Sequence, residues 1–278
     1  MKNIRIDSHQ HFWHYDPTRH TWMSGEMAIL KSNLLPPDLL PHLHACALDG
    51  CVAVQADQSE AENRFLLQLA ENYDVVKGVV GWVDFRAENI DDRLAHYQQF
   101  PKMKGFRHVL QDEAQRDFML RPDFMNGISK LGKYHYTYDI LIFTDQLPDT
   151  LAFIKAFPEQ LFVIDHLAKP NIKQQLMGEW ETYLKLIAGH KNVHCKISGL
   201  VTEADWLNWK KEDFKKYLDI AVESFGIDRI MYGSDWPVCQ LAATYEAQFE
   251  VVADYFSSFS ITEQNKLFGE NAIQFYQL

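Results

Sequence analysis

Residues 161–170 read LFVIDHLAKP, four apolar residues followed directly by an acid and a histidine. A continuous apolar run of this kind is typical of a strand that is covered on both faces, as in a parallel sheet. Residues 75–80, VVKGVV, have nearly the same character. A charged pair at the end of such a run is costly to bury without partners. The segment therefore predicts a parallel strand whose C-terminal end carries functional side chains.

Eight β-rich segments of this type alternate with longer amphipathic ones. The predicted strands cover residues 4–7, 51–56, 75–83, 105–109, 138–143, 161–165, 193–197 and 230–232. The predicted helices cover residues 38–48, 59–72, 90–99, 122–131, 147–157, 180–188, 213–225 and 245–257, and a last helix begins near Ser260. The 278 residues allow about 35 for each strand–helix unit, close to the size of one βα repeat. The alternation predicts an α/β fold, a (β/α)8 barrel in one domain over residues 1–278, with a doubly wound open sheet as the alternative.

The charge of the chain narrows the class of partners. Lys and Arg number 27 and Asp and Glu number 38, which gives a net charge of −11. Nucleic acids and anionic membrane surfaces are bound by basic faces, so neither is an expected partner. No apolar run approaches the ~20 residues of a membrane span, and the first seven residues lack the apolar core of a signal peptide. These features predict a cytoplasmic protein.

The four cysteines are scattered along the chain and form no CxxC pair. This spacing predicts reduced, buried thiols rather than a disulfide framework or a cysteine-rich zinc site. The residues are Cys46, Cys51, Cys195 and Cys239.

Polar side chains follow several predicted strands, at the end where a barrel of this kind carries its catalytic groups. His9 and His11 are two residues apart, so both face the same side of an extended chain. Two histidines at this spacing, with no other evidence, are as often structural as functional. Further polar residues lie at or just after the ends of the fourth, sixth and eighth strands: Arg107, His166 and Asp235. Side chains of these types at one barrel mouth can hold a divalent metal ion, or activate a water molecule without one.

The ordered set of these motifs resembles the amidohydrolase superfamily over essentially the whole chain. The motifs are HQH at 9–11, RH at 107–108, DHLAKP at 165–170 and GSDWP at 233–237. More narrowly, the chain resembles the lactone-hydrolase branch, which acts on sugar-acid lactones and on 2-pyrone dicarboxylates. The resemblance implies a distorted (β/α)8 barrel and the hydrolysis of a cyclic ester.

The resemblance also implies which residues form the site. His9, His11, His166 and Asp235 match the metal-and-base residues of the superfamily. Many members complete a binuclear metal centre with a lysine after the fourth strand and a histidine after the fifth. This chain has Arg107 and the sequence LIFT at 141–144 instead. We therefore expect one divalent ion and favour zinc over other metals. The ion can be dispensable, because some members of the branch work without a metal.

The hypothesis for the mechanism assigns a role to each of these residues. Asp235 accepts a proton from the water that attacks the lactone carbonyl. His9, His11 and His166 face the developing oxyanion, as hydrogen-bond donors or through one Zn²⁺. Arg107 binds the oxyanion or orients the substrate.

The wall of the substrate pocket is harder to predict. The candidates are three tryptophans, one glutamine and one histidine: Trp22, Trp82, Trp236, Gln55 and His108. The long segment 12–37 is a candidate lid. We expect the partner to be a small-molecule lactone, and favour a neutral sugar lactone over a dicarboxylate. Whether the chain forms a homo-oligomer is left open. Two alternatives remain, another reaction of the family such as amide hydrolysis or decarboxylation, and a noncatalytic binding barrel.

Overall fold

A computed structural model of the chain describes residues 3–278, and these contain one parallel eight-stranded sheet. The strands follow one another in the sheet in sequence order, each parallel to the next. Such an order excludes the doubly wound sheet, in which the strand order reverses. The strands are β1 (Ile6–Gln10), β2 (Gly50–Val54), β3 (Val76–Gly81), β4 (Met103–Val109), β5 (Thr137–Leu141), β6 (Phe162–Ile164), β7 (Val193–Ile197) and β8 (Ile230–Tyr232).

A helix follows each strand, so the predicted (β/α)8 barrel is confirmed. These helices are α1 (Pro36–Ala45), α2 (Glu60–Asn72), α3 (Ile90–Tyr97), α4 (Pro122–Ile128), α5 (Leu147–Ala156), α6 (Gly178–Ala188), α7 (Lys211–Phe225) and α8 (Tyr245–Tyr255). The last helical segment comprises α9 (Ile261–Asn265), a π-helical turn (Lys266–Glu270) and α10 (Asn271–Tyr276). It begins at Ser260, whose hydroxyl accepts from the backbone N–H of Glu263, as its sequence predicts.

The barrel closes between β1 and the segment that follows β8. Gln10 and Trp236 form a parallel bridge. The backbone N–H of Asp235 donates to the carbonyl of His9 at 2.8 Å, and the N–H of His11 donates to the carbonyl of Trp236 at 2.7 Å. These bonds place the end of β8 beside the end of β1, although more than two hundred residues separate them in sequence.

The N-terminal end of the barrel is filled by apolar side chains. A cluster of strand residues packs there against α10: Ile6, Val52, Val54, Val80, Val163 and Met231 with Ala272, Phe275 and Tyr276. The opposite half of the interior holds polar and charged side chains, and these form the site described below. All four cysteines are buried and free. Among residues 3–278, no helix is both long enough and apolar enough to span a bilayer.

Candidate active site

Four polar side chains meet at the C-terminal ends of β1, β6 and β8. His9 lies in β1 and His11 directly after it, and their Nε2 atoms are 3.2 Å apart. Oδ1 of Asp235 lies 3.4 Å from Nε2 of His11 and 3.8 Å from Nε2 of His9. The same oxygen is 3.9 Å from Nε2 of His166. All four residues are buried. The structure thus brings these predicted residues around one point.

Asp7 joins β1 to the segment after β8 through hydrogen bonds, next to the point where the four side chains meet. Its Oδ1 accepts from the backbone N–H groups of His9, at 3.1 Å, and Ser234, at 2.8 Å. Its Oδ2 accepts from the hydroxyl of Tyr245 at 2.9 Å. Gly233 lies so close to β1 that a Cβ there would be 2.7 Å from Cβ of His9. The GSDWP motif therefore begins with glycine because a larger residue would push His9 away from Asp235.

His166 occupies a backbone conformation that few residues adopt. The φ angles of residues 166–169 are 53°, 53°, 58° and 50°. This left-handed region costs an L-residue roughly 1–2 kcal/mol, and such strain is concentrated at functional sites. Nδ1 of His166 lies 2.8 Å from Oγ of Ser198, and a Cβ at Gly199 would lie 2.7 Å from the same nitrogen. The imidazole is thus held tightly, with its Nε2 toward Asp235.

Burial and mutual contact set the charge of the site. Burial lowers the pKa of His166 to about 4. Burial, helped by the nearby ammonium of Lys196, holds the pKa of His9 well below its usual value. Burial alone would raise the pKa of Asp235, but its contacts with the histidines outweigh this and lower it. At neutral pH the site therefore holds a carboxylate beside at least two neutral imidazoles.

The residues fit one divalent ion. His9, His11 and Asp235 offer two ring nitrogens and one carboxylate oxygen, all within 4.8 Å of one another. Tetrahedral zinc with bonds of about 2.0–2.1 Å keeps its ligand atoms about 3.3–3.4 Å apart. The three separations given above, 3.2, 3.4 and 3.8 Å, lie close to that value. His166 belongs to a second group, with His9 and Asp165, that shares His9 with the first.

Arg107 is anchored on one edge of its guanidinium. Nη1 donates to Oδ2 of Asp165 at 3.0 Å, and Nη2 donates to the carbonyl of Gln55 at 2.6 Å. Its Nε has no hydrogen-bond partner among residues 3–278. The side chain is 4% exposed and lines the cavity described next. Each Nη group carries a second N–H, and a fixed cation of this kind suits the binding of a carbonyl oxygen that gains negative charge.

A cavity of about 530 Å³ opens over the cluster, with His11, Arg107, His166 and Asp235 in its lining. Its volume falls in the range of small-molecule sites, about 300–1,000 Å³. The predicted lid, segment 12–37, forms one side, and its ends are joined by two hydrogen bonds between Trp13 and Leu34. The rest of the wall mixes aliphatic and neutral polar residues with aromatic and ionisable ones, and the latter include Trp13, Trp22, Phe143, Trp206, Arg19, Asp57, Lys169 and Glu203.

The structure places only Trp22 of the five predicted wall residues in the lining. His108 follows Arg107 in β4, and because neighbouring side chains of a strand point to opposite faces, it points away from the barrel interior. There it stacks on Phe118 and contacts Glu113 through Nε2, while the indole N–H of Trp82 donates to its Nδ1.

Gln55 and Trp236 also lie outside the lining. The side chain of Gln55 is buried and donates to the backbone carbonyl of Arg107 at 3.3 Å, so it supports the arginine from behind. Trp236 is 1% exposed and packs edge-on against Phe12. Both follow strands, but strand ends alone do not tell which face a residue takes.

Several residues near the site were not predicted as functional. Asp139 in β5 and Lys196 in β7 are fully buried and form an ion pair at 2.6 Å. Their signal in the sequence is a charged residue in the middle of an otherwise apolar strand, TYDIL and VHCKI. Glu203 and Trp206 lie in the segment after β7 and line the cavity. No local pattern marks these two, because a long loop decides their position.

Comparison with known proteins agrees with the observed barrel. A family model described as amidohydrolase matches residues 6–278. The chain belongs to the amidohydrolase family. The predicted resemblance is thereby confirmed, and the distorted barrel expected of an amidohydrolase is the one observed.

Two curated relatives of this amidohydrolase carry the same name. An L-fucono-1,5-lactonase of Burkholderia multivorans is 40% identical, over 100% of this chain and 97% of the relative. An L-fucono-1,5-lactonase of Burkholderia ambifaria is 33% identical, over 99% of this chain and 96% of the relative. A crystal structure of a Burkholderia multivorans amidohydrolase with bound zinc is 40% identical and superposes with a TM-score of 0.96, covering 99% of each chain.

The metal ligands can be tested directly. We expect His11→Gln to weaken zinc binding at least ~10-fold, because it removes one of three ligand atoms. Nδ1 of His11 contacts the carbonyl of Val54 at 2.8 Å, which keeps its proton and leaves Nε2 free for a metal. The measurement is a competition titration of metal-free protein against a chromophoric chelator. His44→Gln, an exposed position on α1, is the control. Equal zinc affinity in the His11 and His44 variants would exclude His11 as a ligand.

Proposed function

We propose that this amidohydrolase opens a sugar-acid lactone by hydrolysis of its ring ester. The observation that carries the proposal is the meeting of Asp235 with His9, His11 and His166 at the floor of a sugar-sized cavity. Support comes from the full-length similarity to proteins named L-fucono-1,5-lactonase. Both the chemistry of the site and the relatives favour a hydrolase acting on lactone ester bonds.

Asp235 acts as the general base in this proposal. Its Oδ1 faces the imidazoles, which leaves Oδ2 for a water molecule. The contacts of Asp235 with the histidines lower its pKa, so the group is a carboxylate at neutral pH and can accept a proton. The water oxygen bonds to the lactone carbonyl carbon as its proton passes to Asp235.

The tetrahedral intermediate carries a negative oxygen that needs donors. Arg107, held by Asp165 and by the carbonyl of Gln55, supplies them from a fixed position. The bond between the carbonyl carbon and the ring oxygen then breaks, and the proton on Asp235 passes to that ring oxygen. The product is an open-chain hydroxy acid. A zinc ion held by His9, His11 and Asp235 would supply Lewis-acid polarisation of the carbonyl.

The charges of the cavity wall favour a neutral lactone over a dicarboxylate. Arg19 is paired with Asp57, and Lys169 lies 3.7 Å from Glu203. Arg107 is paired with Asp165. Each of these cations therefore already faces a carboxylate, and two further carboxylates on a ligand would lack partners. Hydroxyl groups can hydrogen-bond to both members of such pairs, so a polyhydroxylated ring suits the wall.

A pH-indicator screen tests the function. We expect release of one acid equivalent from at least one aldonolactone, and none from 2-pyrone-4,6-dicarboxylate or carboxylated aromatic compounds. The same protein with Asp235→Asn controls for contaminating hydrolases. Release of CO₂ from a carboxylated aromatic, with every lactone untouched, would favour decarboxylation instead. Recovery of all lactones unchanged, with one of them bound, would favour a receptor.

A further inference from the structure

A buried charge network lies directly beneath His9. The ammonium of Lys196 is 2.6 Å from Oδ2 of Asp139, 3.0 Å from Oδ1 of Asp165 and 2.9 Å from Nδ1 of His9. The side chains of all four residues are fully buried. Tyr276 of α10 donates to Oδ2 of Asp139 at 2.8 Å and completes the network. The function proposed above uses His9 but assigns nothing to Lys196.

The contact with Lys196 determines where His9 carries its proton. A lysine ammonium only donates hydrogen bonds, so its 2.9 Å contact favours Nδ1 of His9 as the acceptor, with the ring proton on Nε2. Nε2 of His11 is free of a proton because its Nδ1 donates to the carbonyl of Val54. The 3.2 Å contact between the two Nε2 atoms is then a hydrogen bond from His9 to His11. One continuous chain of donors runs from Lys196 to Val54.

This proton position opposes metal binding. A zinc ligand needs a lone pair on the nitrogen that faces the ion, and here Nε2 of His9 carries the proton instead. Metal-bound histidines normally donate their other ring N–H to a carboxylate. Oδ1 of Asp165 lies 3.3 Å from Nδ1 of His9, within reach of a proton on that nitrogen. The acceptor for the metal-binding tautomer is therefore already in place.

The contact of Arg107 with His9 does not change the preference for a ring proton on Nε2. Its Nη1 lies 3.4 Å from Nε2 of His9, longer than the 2.9 Å contact of Lys196 with Nδ1. The same Nη1 already donates to Oδ2 of Asp165 at 3.0 Å. A neutral imidazole has one acceptor nitrogen, and the shorter contact with a cation takes it.

We propose that Lys196 is a positioning residue that keeps the proton of His9 on Nε2 and thereby weakens metal binding at the strand ends. When a metal binds, the proton moves to Nδ1, His9 donates to Asp165, and Lys196 keeps only its two carboxylates. In the metal-free form Lys196 donates a hydrogen bond to Nδ1 of His9, and in the metal-bound form that hydrogen bond is lost. This inference rests on the proposed active site but not on its substrate.

The first test reads the proton position in the unaltered, metal-free protein. Nitrogen-15 NMR of the histidine rings distinguishes the two tautomers, and His9 is assigned by the signal that His9→Gln removes. We expect the proton on Nε2. A proton on Nδ1 of His9 would overturn the proposal, whatever the protein does with lactones.

The second test removes Lys196 without changing net charge. The pair Lys196→Met and Asp139→Asn loses one positive and one negative charge, and the asparagine oxygen can still accept from Tyr276. Asp139→Asn alone, which keeps the contact of Lys196 with His9, is the matched control. We expect the double variant to bind zinc at least ~10-fold more tightly than the unaltered protein, with the ring proton on Nδ1, whereas Asp139→Asn alone should keep the proton on Nε2.

Equal or weaker zinc affinity in the folded double variant would contradict the proposal. Circular dichroism and thermal unfolding establish that both variants fold. If the double variant does not fold, the proton position in the unaltered protein decides alone. Neither readout uses turnover, so a failure here and a failure of the lactone screen are separate results.

Discussion

Asp235→Asn is expected to lower kcat for lactone hydrolysis at least ~100-fold, the low end for loss of a general base. The amide keeps the size of the side chain and can still hydrogen-bond to the histidines, but it cannot accept the proton of the attacking water. KM should change much less, because the cavity wall is untouched. Steady-state kinetics on the best lactone from the screen measure both constants.

Asp205→Asn is the matched control for this variant. Asp205 lies in the segment after β7, and its Oδ1 accepts hydrogen bonds from Leu207 and Asn208 of the same segment. An asparagine oxygen can accept the same bonds, so kcat should stay within about twofold of the unaltered enzyme. A folded Asp235→Asn protein with the same kcat as this control would remove Asp235 from the mechanism.

Arg107→Met should produce the second large loss, about 100- to 1,000-fold in kcat, as for removal of an oxyanion donor. Methionine fills much of the same space but offers no donor to the carbonyl oxygen. The separate changes in kcat and KM show which role Arg107 has. A fall in kcat at constant KM indicates binding of the oxyanion, whereas a rise in KM alone indicates orientation of the substrate.

Arg107→Lys and Arg121→Met provide the comparison. The lysine keeps the charge but cannot contact both Asp165 and the carbonyl of Gln55 with one planar group, so we expect it to restore activity only in part. Arg121 is partly exposed and paired with Asp123, and its replacement should leave both constants unchanged. Full activity in Arg107→Met would contradict any role in the reaction.

The position of the site was predictable because it depends on features that are local in sequence. An apolar strand that ends in charged residues, such as the segment around Asp165, shows where a chain leaves a buried sheet. In a parallel barrel all such ends lie at one mouth, so His9, His166 and Asp235 could be brought together without coordinates. The departure at Arg107, in place of a lysine, was predicted from the resemblance to the amidohydrolase superfamily.

The pocket wall could be predicted only in small part. Arg107 and His108 are adjacent and equally polar, yet one faces the barrel interior and the other the helical layer. A slip of one residue in the register of a strand exchanges these faces, and sequence alone does not set that register. Trp82 and Trp236 likewise pack against other side chains and do not line the cavity. The prediction missed Glu203 because this residue lies in a long loop.

Hydrophobic patterning established the alternation of strands and helices, and with it the set of strand ends that could carry chemistry. These follow from hydrophobic patterns within a few residues of each position. Which of those side chains are in contact follows from the three-dimensional packing of the strands. The 2.9 Å contact of Lys196 with His9 joins residues far apart in the chain. Whether a ring nitrogen meets an ammonium or a carboxylate depends on strand register and side-chain packing, which no local pattern encodes.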